Sequence, residues 1–167
     1  MIRTLGFEPS LVGRATPRYF EDFKVGEVIV TSTWEATEQE IVWFAERYDP
    51  QYYHLDRVRA EQSLFGGLVS GGFQTAALVW GLALRTGLFE GTAVAGIGVD
   101  EMRWLRPLRL GDVVRVEFQL LEGRPSRSKP GLATLTFLYV MKNQRDEDIL
   151  SMRMIQMLKC RPGEAQS

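Results

Sequence analysis

The stretch from Gly71 to Arg85 constrains the fold most, because it is apolar nearly all the way round a helix. Such a helix has to be enclosed by other elements, since any open face would expose apolar side chains to water. Gly87 follows at a position typical of a C-terminal cap. A chain of 167 residues can bury one such helix and is short for two domains. We therefore predict a single domain over residues 1–167, with loose termini at 1–17 and 161–167.

The sequence after this helix alternates apolar and polar residues, as strands do. Four strands are predicted there, at Ala93–Arg106, Asp112–Glu122, Leu132–Lys142 and Ile149–Lys159. A short polar turn joins the last two, so antiparallel hairpin pairing is the economical topology. An earlier strand, Val28–Glu35, can join the same sheet. This order indicates an α+β fold with a curved antiparallel sheet wrapped around the helix.

Two further helices are predicted before the buried one. Thr37 to Glu40 forms a capping box, in which the threonine hydroxyl and the glutamate carboxylate satisfy free N–H groups at a helix start. The apolar period that follows breaks at Asp49-Pro50, because a residue before proline disfavours the helical conformation. Asp56 can cap a short helix that runs to Gln62. The segment between them, from Pro50 to His54, is expected to stay out of helix.

Composition excludes several classes of protein. The net charge is −1, from 20 basic and 21 acidic residues scattered in both signs, so we expect no nucleic-acid partner. Cys160 is the single cysteine and His54 the single histidine, which leaves no intrachain disulfide and no ligand set for a metal. The N-terminal residues lack the apolar centre of a signal peptide, and no stretch is long enough to cross a bilayer. A cytoplasmic protein without a membrane segment is expected.

Asp49 and His54 are the candidate acid/base pair. Histidine titrates near neutral pH, and a carboxylate can orient it or share its proton, which suits catalysis worth about 10²–10⁴-fold. Pro50 lies between them, so the two side chains can converge on one point. The alternative is that Asp49 caps the following turn and His54 is a half-buried loop residue, which is commoner for an arbitrary Asp/His pair.

Gly71 and Gly72 open the predicted buried helix. Unpaired N–H groups and the positive end of the helix dipole favour negative charge at such a position, so the pair outlines an oxyanion site for a thioester carbonyl. The alternative is that these glycines only allow the helix to pack closely against the sheet.

Several short segments occur in a characteristic order along the chain. They are Tyr19–Glu27, Phe44-Ala45, Asp49 through Asp56, Phe65–Gly67, Val94–Gly98, Arg103–Pro107, Gly111-Asp112 and Ser126–Pro130. Together they resemble the MaoC-like dehydratase family, the hotdog-fold group that includes (R)-specific enoyl-CoA hydratases. The resemblance covers roughly residues 18–160.

The resemblance implies an acyl-CoA hydratase or dehydratase, which adds water reversibly to a trans-2-enoyl-CoA thioester. Asp49 and His54 match the family's catalytic pair, and Gly72 matches the glycine whose N–H polarises the thioester carbonyl. No metal is implied, and no cofactor beyond the CoA carried by the substrate. A homodimer or higher homo-oligomer with a continuous sheet is implied as well.

Further residues are candidates for binding the substrate. Gly71 precedes the oxyanion glycine directly. Phe65, Phe73, Trp80 and Trp104 are candidates for an acyl tunnel, although apolar residues at such spacings are more often plain core, and Phe65 and Phe73 are favoured because they flank the glycines. The family commonly has Asn-Pro and His-Gly where this chain has Gln51-Tyr52 and Gly71-Gly72, so Gln51 and Tyr53 are expected to reshape the pocket. Basic residues that could meet CoA phosphates, or else are solvated, are Arg103, Arg106, Arg124, Arg127 and Lys129.

Two other functions remain open from the sequence. A hotdog thioesterase would use a carboxylate-activated water to attack the thioester carbonyl itself. The Asp–His pair lies ahead of the buried helix and not on it, which favours hydration. A non-catalytic acyl-CoA-binding subunit would keep the fold with altered residues at the site, but the intact Asp49 and His54 argue against it.

Overall fold

The computed structural model describes residues 15–163 of the chain. A short 3₁₀ turn at Phe20–Asp22 precedes the first strand. The strands are β1 (Val28–Val30), β2 (Trp34–Glu35), β3 (Ala93–Trp104), β4 (Val113–Pro125), β5 (Leu132–Lys142) and β6 (Asp148–Lys159). The helices are α1 (Glu38–Tyr48), α2 (Tyr52–Leu55), α3 (Arg57–Glu61) and α4 (Gly72–Arg85).

All six strands belong to one antiparallel sheet, in the order β1-β4-β5-β6-β3, with β2 also paired to β4. Buried and half-buried residues alternate along β5 and along β4 as far as Leu121, which turns one face of the sheet toward α4. The core between helix and sheet is rich in stacked aromatic rings: Phe23, Phe89, Phe118, Phe137 and Tyr139. This is the predicted hotdog arrangement, an α+β fold with the sheet curved around a central helix.

The central helix α4 is covered on part of its surface. Val79, Leu82 and Ala83 are fully buried against the sheet and Gln74 is buried toward α1, whereas Phe73 is 69% exposed on the open side. The prediction of a helix buried all round is therefore only partly met within one chain. The end strand β3 is similarly uncovered, and most of its residues are exposed on both faces.

Capping explains where the first helices lie. The Thr37 hydroxyl accepts a hydrogen bond from the Glu40 N–H, and α1 ends at Tyr48, which confirms the predicted boundaries. The Asp56 carboxylate likewise caps α3 by accepting from the Arg59 N–H. The expectation that residues 50–54 avoid helix was wrong, because α2 spans Tyr52–Leu55. Proline restricts the residue before it and not those after it, so a single turn can begin behind the extended Gln51.

The predicted strand Val28–Glu35 is split into β1 and β2. Both pieces pair with β4, but the ladder is interrupted at Thr31. The Thr31 N–H donates to the Val116 carbonyl, and the Thr31 hydroxyl accepts from the Val116 N–H in place of a backbone carbonyl. A side-chain acceptor thus substitutes for one rung, which breaks the regular strand.

The described ends of the chain are attached to the body. The Ala15 N–H donates to the Thr86 carbonyl, and the Arg161 N–H donates to the Glu21 carboxylate. The predicted loose termini are therefore attached to the body at Ala15 and Arg161, and the rest of them, residues 1–14 and 164–167, lies outside the described residues. Between residues 15 and 163, no helix has both the length and the apolar character needed to cross a bilayer.

Candidate active site

Two neighbouring helices, α1 and α2, bring the candidate acid/base pair together. Asp49 follows the last turn of α1, where its N–H donates to the Ala45 carbonyl, and His54 lies on the single turn of α2. The turn between them places His54 Nε2 3.4 Å from Asp49 Oδ2. The imidazole is almost fully buried, while the carboxylate side chain is 30% exposed. The pair therefore has one sheltered member and one that reaches solvent.

A backbone carbonyl determines the orientation of the imidazole. His54 Nδ1 lies 2.7 Å from the Val69 carbonyl oxygen, which can only accept, so Nδ1 carries a proton. In the neutral ring Nε2 is then an acceptor that faces Asp49. The Val69 carbonyl is itself held in place, because the Val69 N–H donates to the Tyr53 carbonyl and the Ser70 N–H to the Leu108 carbonyl.

His54 Nε2 and Asp49 Oδ2 are 3.4 Å apart and can both act as acceptors. They can therefore share a proton, or both accept hydrogen bonds from one water. Because 3.4 Å leaves no room for a water between the two atoms, such a water would lie to one side of the pair, within hydrogen-bond reach of both, and either group could take its proton. The arrangement of Asp49 and His54 can therefore activate water without a metal ion. Within residues 15–163 there is no group of three or more side chains that could hold a metal.

The start of α4 supplies hydrogen-bond donors beside the pair. The N–H groups of Gly72 and Phe73 bind no acceptor among residues 15–163. They lie at the positive end of a fourteen-residue helix, where negative charge is stabilised. Developing charge on an oxygen at this helix start would therefore meet free donors.

Both glycines at this helix start also leave room for neighbouring side chains. A Cβ on Gly71 would lie 3.1 Å from Asp49 Oδ2, and a Cβ on Gly72 would lie 2.9 Å from Trp104 Nε1. The close-packing interpretation and the oxyanion interpretation are thus compatible. Gly71 makes room for the carboxylate, and Gly72 makes room for the end of β3.

The pair and the helix start share one cavity of about 410 Å³. Of the residues predicted from sequence, Asp49, His54, Gly72, Tyr53 and Phe65 line it. The Tyr53 ring packs on both the His54 ring and the Phe65 ring, at centroid distances of 4.5 and 5.1 Å. Tyr53 and Phe65 therefore form an aromatic wall beside the imidazole.

Other predicted residues are not brought into this cavity. Gln51 is exposed at the N-terminus of α2, where its carbonyl accepts from the His54 N–H. Phe73 points outward on the open side of α4, because its position on the helix faces away from the sheet. The exposed Arg103 guanidinium donates to the Met102 carbonyl, and Arg127 is exposed in the β4–β5 hairpin. Gly71 is buried against Asp49 and does not line the cavity.

The cavity also contains Ser70 and Thr75, which flank the glycines, and Leu108 from the chain after β3, none of which was predicted from the sequence. Arg106, predicted as a possible contact for CoA phosphates, lines the cavity as well. Arg106 is the one cationic side chain in the lining, and its guanidinium donates to the Asp148 carbonyl. In the sequence, the Arg103–Pro107 segment could have indicated this part of the cavity lining. The role of the Val69 carbonyl could not have been predicted, because it does not depend on the side chain.

Fold and site together define a hotdog protein with an Asp–His pair at the start of its central helix. Residues 22–137 match the family model described as "MaoC like domain". The crystal structure of a MaoC-like dehydratase from Rhodospirillum rubrum superposes with a TM-score of 0.79 at 35% identity, over 87% of this chain and 99% of that one. The chain therefore belongs to the MaoC-like dehydratase family.

Curated relatives include proteins with and without an assigned activity. The chain is 30% identical to the 3-hydroxybutyryl-CoA dehydratase of Methylorubrum extorquens, over 69% of this chain and 71% of that protein. It is 29% identical to the uncharacterized protein YdeM of Bacillus subtilis, over 75% of this chain and 88% of that protein. The family thus includes dehydratases, and the substrate of this chain has to be argued from its own site.

Proposed function

We propose that the protein catalyses the reversible addition of water to a trans-2-enoyl-CoA thioester, giving a 3-hydroxyacyl-CoA. The observation that carries the proposal is the 3.4 Å approach of His54 Nε2 to Asp49 Oδ2, in the cavity that also contains the free N–H of Gly72. A water activator and an oxyanion site are the two groups that hydration of a conjugated thioester needs.

The proposed mechanism uses the pair as one unit. Asp49 and His54 hold one water and remove its proton as the water oxygen bonds to Cβ of the enoyl group. The electrons of the double bond move toward the thioester oxygen, where the Gly72 N–H stabilises the enolate. The pair then returns the proton to Cα, so that the elements of one water are added. The reverse sequence dehydrates the hydroxyacyl thioester.

The proposal also covers the cofactor, the cellular compartment and the oligomeric state. The substrate carries its own CoA, and we propose no further cofactor. A reducing compartment such as the cytoplasm fits a chain whose single cysteine, Cys160, is buried. We also propose a homodimer, because β3 and one side of α4 remain uncovered in a single chain.

The test is an assay with purified protein and enoyl-CoAs of four to eight carbons. Loss of the conjugated double bond is followed by absorbance, and free thiol is measured in parallel. We expect hydration without thiol release. Thiol release without hydration would instead indicate a thioesterase, and binding without either reaction would indicate a non-catalytic subunit.

Variants of Asp49 and His54 test whether the activity depends on this pair. We expect Asp49→Asn and His54→Gln each to lower kcat by about 10²-fold or more, because each removes a proton acceptor from the water site. Asp56→Asn is the matched control, since Asp56 caps α3 and asparagine caps equally well. Circular dichroism should show all three variants folded. Near-wild-type turnover in either pair variant would contradict the mechanism.

A further inference from the structure

Trp104, the last residue of β3, reaches across to the first turn of α4. Its indole Nε1–H donates to the Gly72 carbonyl oxygen at 2.8 Å. Its ring also meets the Phe73 ring edge to face, at a centroid distance of 5.8 Å. The indole lies so close to Gly72 that a Cβ there would be 2.9 Å from Nε1. Trp104 thus contacts the peptide that follows the oxyanion glycine and lines the cavity as well.

The carbonyl that Trp104 binds belongs to the peptide between Gly72 and Phe73. The N–H of that peptide is the Phe73 N–H, which binds no acceptor among residues 15–163. The first N–H groups of a helix point out of its N-terminus, so the Phe73 N–H lies beside that of Gly72. A hydrogen bond to a carbonyl polarises its amide and strengthens the N–H donor on the other side.

The preceding peptide is fixed in a similar way, but from within α4. The Gly71 carbonyl accepts from the Thr75 N–H at 2.9 Å and from the Thr75 hydroxyl at 3.1 Å. The peptide that carries the Gly72 N–H is therefore held by the helix itself. The next peptide receives its side-chain bond from the sheet, through Trp104. Two successive donors are thus oriented from their carbonyl sides.

We propose that Trp104 is a positioning residue of the oxyanion site. Its indole N–H fixes and polarises the Gly72–Phe73 peptide, so that the Phe73 N–H joins the Gly72 N–H as a second donor to the thioester oxygen. This inference rests on the proposed function, because it needs a thioester carbonyl at the start of α4. It concerns a backbone donor of Phe73, whose side chain points away from the cavity.

The direct test measures carbonyl polarisation with a chromophoric thioester. In 4-(dimethylamino)cinnamoyl-CoA the absorption moves to longer wavelength as the carbonyl is polarised. We expect a red shift on binding to the wild type and roughly half of that shift with Trp104→Phe, since one of two donors is weakened. The matched control is Trp43→Phe, because Trp43 lies on α1 outside the cavity and packs on Arg47.

Turnover provides a second readout. Losing a whole oxyanion donor costs about 10²–10³-fold in rate, so weakening one should lower kcat about tenfold with Trp104→Phe. KM should change less than twofold, because the donor acts mainly on the charged enolate. Replacing Trp104 by 3-benzothienylalanine, which has nearly the same shape and no N–H, should reproduce both effects if the phenylalanine variant folds poorly.

The outcomes separate this inference from the proposed function. Equal red shifts in the wild type and in the benzothienylalanine variant would overturn the role of Trp104, even if the wild type hydrates enoyl-CoAs. The spectral comparison needs no turnover, so it also decides the matter in a protein that binds thioesters without hydrating them. A wild type that produces no shift would overturn the inference as well, since no donor then reaches the carbonyl.

Discussion

At the scale of single residues, the carboxylate of Asp49 depends on the missing side chain of Gly71. The Gly71 backbone has a φ of −59°, which any residue can adopt, so alanine is allowed by the backbone. Its Cβ would lie 3.1 Å from Asp49 Oδ2, however, and the carboxylate would have to move away from the water site. The missing side chain of Gly71 therefore matters more for the position of the Asp49 carboxylate than for the stability of the helix.

We accordingly expect Gly71→Ala to lower kcat by up to about 10-fold, because the carboxylate has to move by a few tenths of an ångström and a misplacement of about 1 Å commonly costs about 10²-fold. The melting temperature should change little, because helix geometry is preserved. Steady-state kinetics and a thermal melt on the same sample check both parts. An alanine variant with full activity would show that Asp49 tolerates the shift.

Single residues also show how much of the site could be predicted from the sequence. Asp49, His54 and Gly72 could be chosen because their side chains, or the lack of one, follow a recognisable order. The partners that orient them could not be chosen in the same way. The Val69 carbonyl holds the imidazole through the backbone, which every residue type provides. Trp104 could be predicted only as a candidate for an acyl tunnel, because its bond to Gly72 depends on where β3 ends.

At the scale of elements, a buried polar link joins α1 to α4. The Gln74 amide donates to the Glu40 carbonyl at 2.8 Å and accepts from the Ser70 hydroxyl at 2.8 Å. Gln74 is almost fully buried. A groove of about 490 Å³ lies between the two helices, and Glu40 and Gln74 line it from opposite sides, so this link connects its two walls. It helps to hold the helix that ends at Asp49 against the helix that begins at Gly72.

Gln74→Leu should therefore destabilise the protein by about 1–3 kcal/mol, because the buried Ser70 hydroxyl loses its partner while the volume is nearly kept. Urea unfolding followed by tryptophan fluorescence measures the change. The control is Gln62→Leu at an exposed position after α3, where we expect less than about 0.5 kcal/mol. Identical midpoints for the two variants would mean that the link contributes nothing.

Long elements were predicted well because a strong period extends over many residues. This holds for α4 and for β4 to β6, whose observed bounds lie close to the predicted ones. The short α2 was missed because one helical turn contains too few residues to show a period. The break between β1 and β2 was missed because it depends on the Thr31 hydroxyl replacing a backbone acceptor, which is a tertiary contact with β4.

At the scale of the whole molecule, the two ends of the sheet differ. β1 has three residues, whereas β3 has twelve and is paired on one side only, to β6. Val94, Ile97 and Val99 on β3 are 43–54% exposed, and Phe73 on the open side of α4 is 69% exposed. A long uncovered end strand next to an apolar helix face is a strong candidate for self-association. This asymmetry supports the proposed homodimer through β3.

Two lysine substitutions test this asymmetry. Ile97 on β3 is 54% exposed and Val28 on β1 is 55% exposed, so the changes are matched in chemistry and exposure at opposite ends of the sheet. We expect the wild type and Val28→Lys to sediment as dimers and Ile97→Lys to shift toward the monomer, because a charge at the centre of an apolar interface costs several kcal/mol. Hydration activity should fall with Ile97→Lys if the partner completes the substrate site. A wild type that sediments as a stable monomer would contradict the homodimer. A dimer that is unaffected by Ile97→Lys and lost with Val28→Lys would place the interface elsewhere than at β3.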